Sequence, residues 1–433
     1  MEKQHKLLTM LKNPSYLQSS LTLLLFFASW GIWWSFFQLW LTSANNGLHL
    51  SGSAVGTVYS ANSLVTLILM FVYGTLQDKL MIKRWLLIFC AVIATLTGPF
   101  VIYVYGPLLK TNFTLGIVVG AIVLSAGFLA SAGIFEAVSE RFSRRFNFEY
   151  GQARAWGSFG YAVVALIAGF LFVINPNLNF WGGSFFGLLL LLNLLFWKPK
   201  AERTADHQDA QATQTGQTPS LKDMVHLLKL PELWVIIIFI MFTWTFYTVF
   251  DQQMFPDFYT KLFASPELGQ HMYGTLNSIQ VFFEAIMMAV VPLIMRKIGV
   301  RKTLLLGVGV MCFRIGACGF ATNPAAVSMI KMLHALEVPL FCLPMFRYFT
   351  LHFDTKLSAS LYMIGFQVAA QVGQVILSTP LGTLRDHIGY SSTFRVISLT
   401  VLVAGVFAFF VLKKDDKDVR GEPLVQAKKL DFN

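Results

Sequence analysis

Long apolar runs alternate with short polar, mostly basic stretches along the whole chain. Runs such as TLLLFFASWGIWWSFFQLW (22–40) and LWVIIIFIMFTWTFYTVF (233–250) are long enough to cross a bilayer core as helices. The same reading predicts spans near 18–42, 53–76, 85–105, 114–139, 153–174, 180–198, 233–258, 273–295, 303–320, 325–350, 357–382 and 391–412, about twelve in all. Lys and Arg concentrate in cytoplasmic connections, and alternate loops are basic. One set carries Lys79, Lys83 and Arg84; Arg141, Arg144 and Arg145; Lys198, Lys200, Arg203, Lys222 and Lys229; Arg296, Lys297, Arg301 and Lys302; and Arg347 and Lys356. The other set offers little beyond Lys110, Lys261 and Arg385. With Lys3, Lys6 and Lys12 ahead of the first span and Lys413, Lys414 and Lys417 after the last, both termini are expected in the cytoplasm.

Composition agrees with this reading. Hydrophobic residues make up 55% of the 433 and charged residues 13%, about half the charged share of a soluble domain. The formal net charge of +11 follows from topology, so no nucleic-acid partner is expected. Cys90, Cys312, Cys318 and Cys342 fall in apolar spans without CxxC spacing, so neither disulfides nor a metal site is expected. The polar, basic start MEKQHKLLTMLKNPSYLQSS reads as a cytoplasmic tail and not as a removable signal.

Polar residues cluster at length once, in KPKAERTADHQDAQATQTGQTPSLKDM (198–224), whose composition cannot bury a core. The expected division is an N-terminal six-helix bundle (1–197), a cytoplasmic linker (198–224) and a C-terminal six-helix bundle with its tail (225–433). Each half has a short basic turn between its second and third spans, GTLQDKLMIKR (74–84) and IMRKIGVRK (294–302). That is the mark of an internal repeat.

GTLQDKLMIKR resembles the Gly-x-x-x-Asp-Lys/Arg-x-x-x-Lys/Arg signature of the major facilitator superfamily, with Gly74, Asp78, Lys79, Lys83 and Arg84 in place; read by itself it is a tight basic turn. FEYGQARAWGSFGYA (148–162), VFDQQMFPDFY (249–259) and KMLHALEVP (331–339) are similar to the oligosaccharide:proton symporters, the lactose permease-like family. The resemblance runs over nearly the whole chain. It is strongest toward the sucrose permease branch, at SWGIWWSFFQLWL, YVYGPLL, ARAWGSFGYA and MLHALEVP.

Ionisable side chains within spans are costly and face a cavity or a partner. Here they are Glu136, Arg154, Asp251, Glu284, Arg314, Lys331, His334 and Glu337. Steps of three residues turn a helix by about 300°, so Lys331, His334 and Glu337 share one face. A structural ion-pair ladder is the alternative to a proton relay there. A carboxyl group in an apolar setting is a candidate proton site, and Glu337 is the best placed. The resemblance implies that Glu337, Arg314, His334 and Tyr247 couple the proton and that Asp251 pairs with Lys331.

Glu136 and Arg154 flank a basic loop. A loop salt bridge is one reading, and a sugar site is the other: a carboxylate accepts from hydroxyls and a guanidinium donates in a rigid fork. The resemblance implies sugar contact by Glu136, Arg154 and Tyr161, with His334 and Glu284 as further candidates. Asn277 and Gln280 face inward if Glu284 does. Trp30, Trp33, Trp34 and Trp40 are read as packing or interfacial anchors.

Relative to the lactose branch, Tyr161 replaces a stacking tryptophan, and Thr248 and Ala370 replace a mutually neutralising Asp and Lys. Val281 stands where that branch has its sugar-binding glutamate, with Glu284 one turn on. Losing both members of a charge pair leaves nothing unmatched. The resemblance implies an all-helical fold of twelve spans in two pseudo-symmetric bundles, working by rocking of the halves. It further implies symport of a proton with a disaccharide, sucrose foremost, in the bacterial inner membrane, by a functional monomer in contact with lipid and without a cofactor. Melibiose, raffinose, lactose or maltose are alternative sugars. A proton-driven exporter of apolar compounds is the alternative of another class, and Glu136, Arg154 and Glu284 argue against its apolar cavity.

Overall fold

The computed structural model describes residues 13–80, 84–146, 148–199, 229–353 and 362–414. From residue 200 onward the expected linker lies outside the described residues, as do Lys83 and the tail beyond 414. The described residues are helical and include no strand. This suits a chain in lipid, where every backbone N–H and C=O must find its partner within the segment.

In chain order the helices are α1 (Pro14–Thr42), α2 (Gly52–Leu80), and α3 (Trp85–Thr95 continued by Thr97–Thr111). Next come α4 (Phe113–Leu124 and Ser131–Arg145, joined by a π-helical turn at Ser125–Leu129), α5 (Tyr150–Ile174) and α6 (Asn177–Phe196). They are followed by α7 (Pro231–Thr260), α8 (Pro266–Ile298), α9 (Val300–Cys318), α10 (Pro324–Lys331 and His334–His352) and α11 (Met363–Val411). Among the described residues nine helices are long and apolar enough to cross a membrane, or ten if the 52° bent pair in α3 is one span. Two features set this count below the twelve read from hydropathy. Arg301, Lys302 and Arg314 dilute the 19-residue α9, and α11 runs through Gly389, whose φ of 76° breaks the helix without ending it.

Several starts are built alike. Asn13, Ser265 and Asn323 accept backbone hydrogen bonds from the first turns of α1, α8 and α10, and a proline stands at the first helical position each time. A side-chain oxygen thus takes an otherwise orphaned N–H, while proline, which has none to lose, fixes the entering φ. Arg84 does the converse, donating to the carbonyls of Leu194 and Trp197 at the end of α6, at 3.3 and 2.8 Å. Gly74, Asp78 and Lys79 lie in the last turns of α2.

The chain divides into two compact units, one drawn from Met1–Leu50, Ala61–Thr218 and Gln270–Ser278, the other from Ser51–Ser60, Pro219–Gly269 and Ile279–Asn433. The first is built around α1, which has Phe26, Trp33, Phe36 and Phe37 almost wholly enclosed. Small residues on α5, among them Ala153, Gly157 and Gly160, let it approach α1 closely. In the second unit α9 packs against α10 and α11. Side chains such as Phe196, Phe410 and Ile174 are left 74–77% exposed. Such surface is stable against lipid, not water.

α7 contains a π-helical turn at Val249–Met254 that carries Asp251. Its cause is legible one turn on. Pro256 has no N–H, and its ring crowds the carbonyl four residues back, that of Gln252, which accepts instead from the Tyr59 hydroxyl at 3.3 Å.

Candidate functional site

In the first unit Arg154 stands in the second turn of α5 and Glu136 on the last segment of α4. Arg154 Nε donates to Glu136 Oε1 at 2.6 Å, and Arg154 Nη1 donates to Ser158 Oγ at 3.1 Å. The guanidinium carbon lies 4.1 Å from the centre of the Phe27 ring on α1, a cation–π contact. Both charged side chains remain about a third exposed. The pair therefore joins two helices and keeps polar atoms open to a ligand. Tyr161, two turns beyond Arg154, packs its ring on the backbone of Gly31, where a β-carbon would come within 2.6 Å of Cδ2. Phe27 and Ser158 carry no mark in the sequence beyond their spacing, and sequence reading does not single them out.

The second unit holds the other group. Arg314 on α9 is fully buried and divides its fork between two carboxylates: Nε to Glu337 Oε1 at 2.8 Å, and Nη2 to Asp251 Oδ1 at 2.9 Å. Lys331 Nζ donates to the same Asp251 oxygen at 2.8 Å, and His334 Nδ1 is 3.1 Å from it. The expected pair of Asp251 and Lys331 is present, but it is not isolated. Asp251 is a hub for three basic groups. His334 Nδ1 lies 3.4 Å from Glu337 Oε2, and Nε2 lies 3.9 Å from Glu284 Oε2. The Tyr247 hydroxyl is 3.1 Å from His334 Nδ1. Gln280 donates to Glu284 Oε2 at 2.9 Å, one turn apart on α8. Asn277, buried a turn earlier on the same helix, belongs to the first unit, whereas Glu284 belongs to the second.

Lys331 ends one helical segment and His334 begins the next, across Met332 and Leu333. The break leaves Lys331, His334 and Glu337 on one side, all three facing Asp251 or Arg314. Three carboxylates (Asp251, Glu284, Glu337) meet two permanent cations (Arg314, Lys331), so with His334 neutral the group carries one uncompensated negative charge. Glu337 Oε2 is buried and accepts no hydrogen bond among the described residues.

A further network in the second unit has no precedent in the sequence pattern. Asp386 accepts from the backbone N–H of Gly52 and of Ser53, both at 2.7 Å, at the start of α2. Arg385 donates to Asp386 and to the Tyr390 hydroxyl, Tyr390 donates to Asp257, and Lys261 donates to Asp257 at 2.7 Å.

Residues 8–422 match the family model described as LacY proton/sugar symporter. The chain is 43% identical over 417 residues to the sucrose permease of Escherichia coli, covering 96% of this chain and 98% of that one. It is 35% identical over 401 residues to the raffinose permease of Escherichia coli (93% of each) and 35% over 380 residues to a lactose permease of Klebsiella oxytoca (87% and 90%). Among solved structures, the nucleoside transporter NupG aligns with a TM-score of 0.77 at 14% identity, covering 92% of this chain and all of that one. A D-xylose-proton symporter aligns at 0.61 and 15%, covering 95% and 99%; at such identities the likeness speaks for the fold alone. A family match over almost the full length, with a relative 43% identical over 96% of the chain, makes this protein a member of the LacY family of proton/sugar symporters.

Proposed function

We propose that the sugar is sucrose, carried with a proton into the cytoplasm by alternating access, with no covalent chemistry. The similarity to the Escherichia coli sucrose permease, 43% over 96% of the chain, carries this reading of the substrate. Glu136 and Arg154 grip sugar hydroxyls as acceptor and planar donor, and Tyr161 offers its ring to an apolar sugar face. Glu284, His334 and Asn277 are further sugar-contacting residues. Glu337 takes the proton, and Arg314 drives it off again by competing for the carboxylate. His334 and Tyr247 connect this site to Glu284. Asp251 and Lys331 keep the charges balanced, and Gly74, Asp78, Lys79, Lys83 and Arg84 form the conformational motif.

The protein works as a monomer in the bacterial inner membrane, with its six-helix halves at 1–197 and 225–433, its linker at 198–224 and both termini cytoplasmic. One charge moved through 100 mV is worth about 2.3 kcal/mol, or roughly fifty-fold accumulation. The test is uptake of labelled sucrose, raffinose, melibiose, lactose and maltose into vesicles under an imposed proton gradient. Sucrose should lead the panel, and a β-galactoside transported in preference to it overturns the assignment.

A further inference from the structure

α1 is enclosed along almost its whole length, yet Trp30 and Trp34, one turn apart, remain partly exposed. Their position excludes a purely lipid-facing role for Trp30. Phe26 stacks on Phe135 and Phe128 of α4, with ring centres 4.2 and 6.3 Å apart. Phe27 lies under Arg154 of α5. At about 100° per residue, Trp30 falls roughly 40° from Phe26 and 60° from Phe27, between the two. It therefore points into the angle between α4 and α5, the angle that Glu136 and Arg154 bridge. Its ring is 6.1 Å from Phe27 and 5.9 Å from Trp34. Its indole Nε1 is enclosed and has no hydrogen-bond partner among the described residues. Buried polar atoms are normally paired. An orphaned donor beside a charged, half-open pair is the signature of a position completed by a ligand.

We infer that Trp30 is a specificity residue of the sugar site, its ring lining the angle between α4 and α5 beside Phe27 and its N–H donating to one hydroxyl of the bound disaccharide. This rests on reading Glu136 and Arg154 as the sugar site. Trp33 supplies the contrast: its nitrogen is also unpaired, but the ring is 0% exposed, packed against Phe37, Phe128 and Phe180. It is a core residue.

The test is calorimetric binding to the purified full-length protein in nanodiscs. It uses the best-bound disaccharide of the uptake panel, expected to be sucrose, together with its monodeoxy analogues. Trp30→Phe keeps an aromatic ring, though a smaller one, and removes the donor. Affinity should fall roughly five- to tenfold, the worth of one neutral hydrogen bond, and the deficit should vanish for the one analogue that lacks the partner hydroxyl. Trp33→Phe should bind every sugar as the parent does. No deficit in Trp30→Phe, or an equal deficit for all analogues, overturns the inference. Arg154→Lys separates the two levels: if it leaves affinity unchanged the site reading falls and Trp30 with it, whereas if it abolishes binding while Trp30→Phe does not weaken it, only the role of Trp30 falls.

Discussion

Arg314 Nε and Glu337 Oε1 lie 2.8 Å apart with both side chains 0% exposed, while the second oxygen of Glu337 accepts no hydrogen bond among the described residues. The carboxylate is thus held by one oxygen and available by the other. Arg314 does not depend on it alone, because Asp251 holds another nitrogen of the same fork. Protonating Glu337 leaves the guanidinium with a counter-ion.

Glu337→Gln imitates the protonated form permanently. Exchange of internal for external sugar should persist in proteoliposomes, because the loaded carrier reorients with the site protonated. Uphill accumulation and net efflux should fail, because the empty carrier returns only after losing the proton. Accumulation at the parental level would remove Glu337 from the coupling step and turn attention to Glu284 or Asp251.

Asp251→Asn strips the hub and leaves Lys331, 2% exposed, without a carboxylate. Breaking a buried pair in this way costs about 3–5 kcal/mol, so the melting temperature in detergent should drop sharply. Adding Lys331→Gln should restore most of it. Transport should not recover fully, since Arg314 still lacks its second carboxylate. A single mutant as stable as its parent would show that Asp251 neutralises nothing.

Arg154→Lys keeps the charge and loses the planar fork that reaches Glu136 and Ser158 together. The mutant should insert and fold, with sugar affinity reduced beyond about a hundredfold, the scale of one lost charge-assisted, bidentate contact. Parental affinity in the purified mutant would return the pair to a salt bridge between α4 and α5.

Asp386→Ala removes the carboxylate that binds the Gly52 and Ser53 amides. Loss of a helix cap costs about 1 kcal/mol, and more than one bond is lost here. Hydrogen exchange at those two amides should accelerate by roughly tenfold or more, with little change in the middle of α2. Unchanged exchange there would show that the cap does not hold the start of the helix.

Much of this was legible in the sequence for a physical reason. Glu136, Arg154, Asp251, Arg314, Lys331, His334 and Glu337 stand out because lipid makes any charge conspicuous, and the one-face spacing of Lys331, His334 and Glu337 survives even the break between α10 segments. Helix starts were less legible. α1 and α8 begin at Pro14 and Pro266, not near 18 and 273, because their capped first turns are polar and hydropathy does not see them. Neutral partners were not legible at all. Phe27 supports Arg154 from 127 positions away, and Asp386 caps α2 from 334 positions beyond Gly52; no local pattern encodes contacts of that range. Trp30 and Trp34 read alike with Trp33 and Trp40 until packing separates them.

The π-helical turn around Asp251 makes chain length itself a functional quantity. Such a turn accommodates one residue more than an α-helix would. Deleting any single residue between Val249 and Met254 would let the segment close into ordinary α-helix. The flanking segments, Pro256 included, would keep their places because the turn had absorbed the extra residue, but the residues inside it would be re-aimed, carrying Asp251 away from Arg314 and Lys331. A substitution in α7 can be compensated by a neighbour, but a gap there cannot, so functional relatives are expected to differ in the letters of this segment and not in their number.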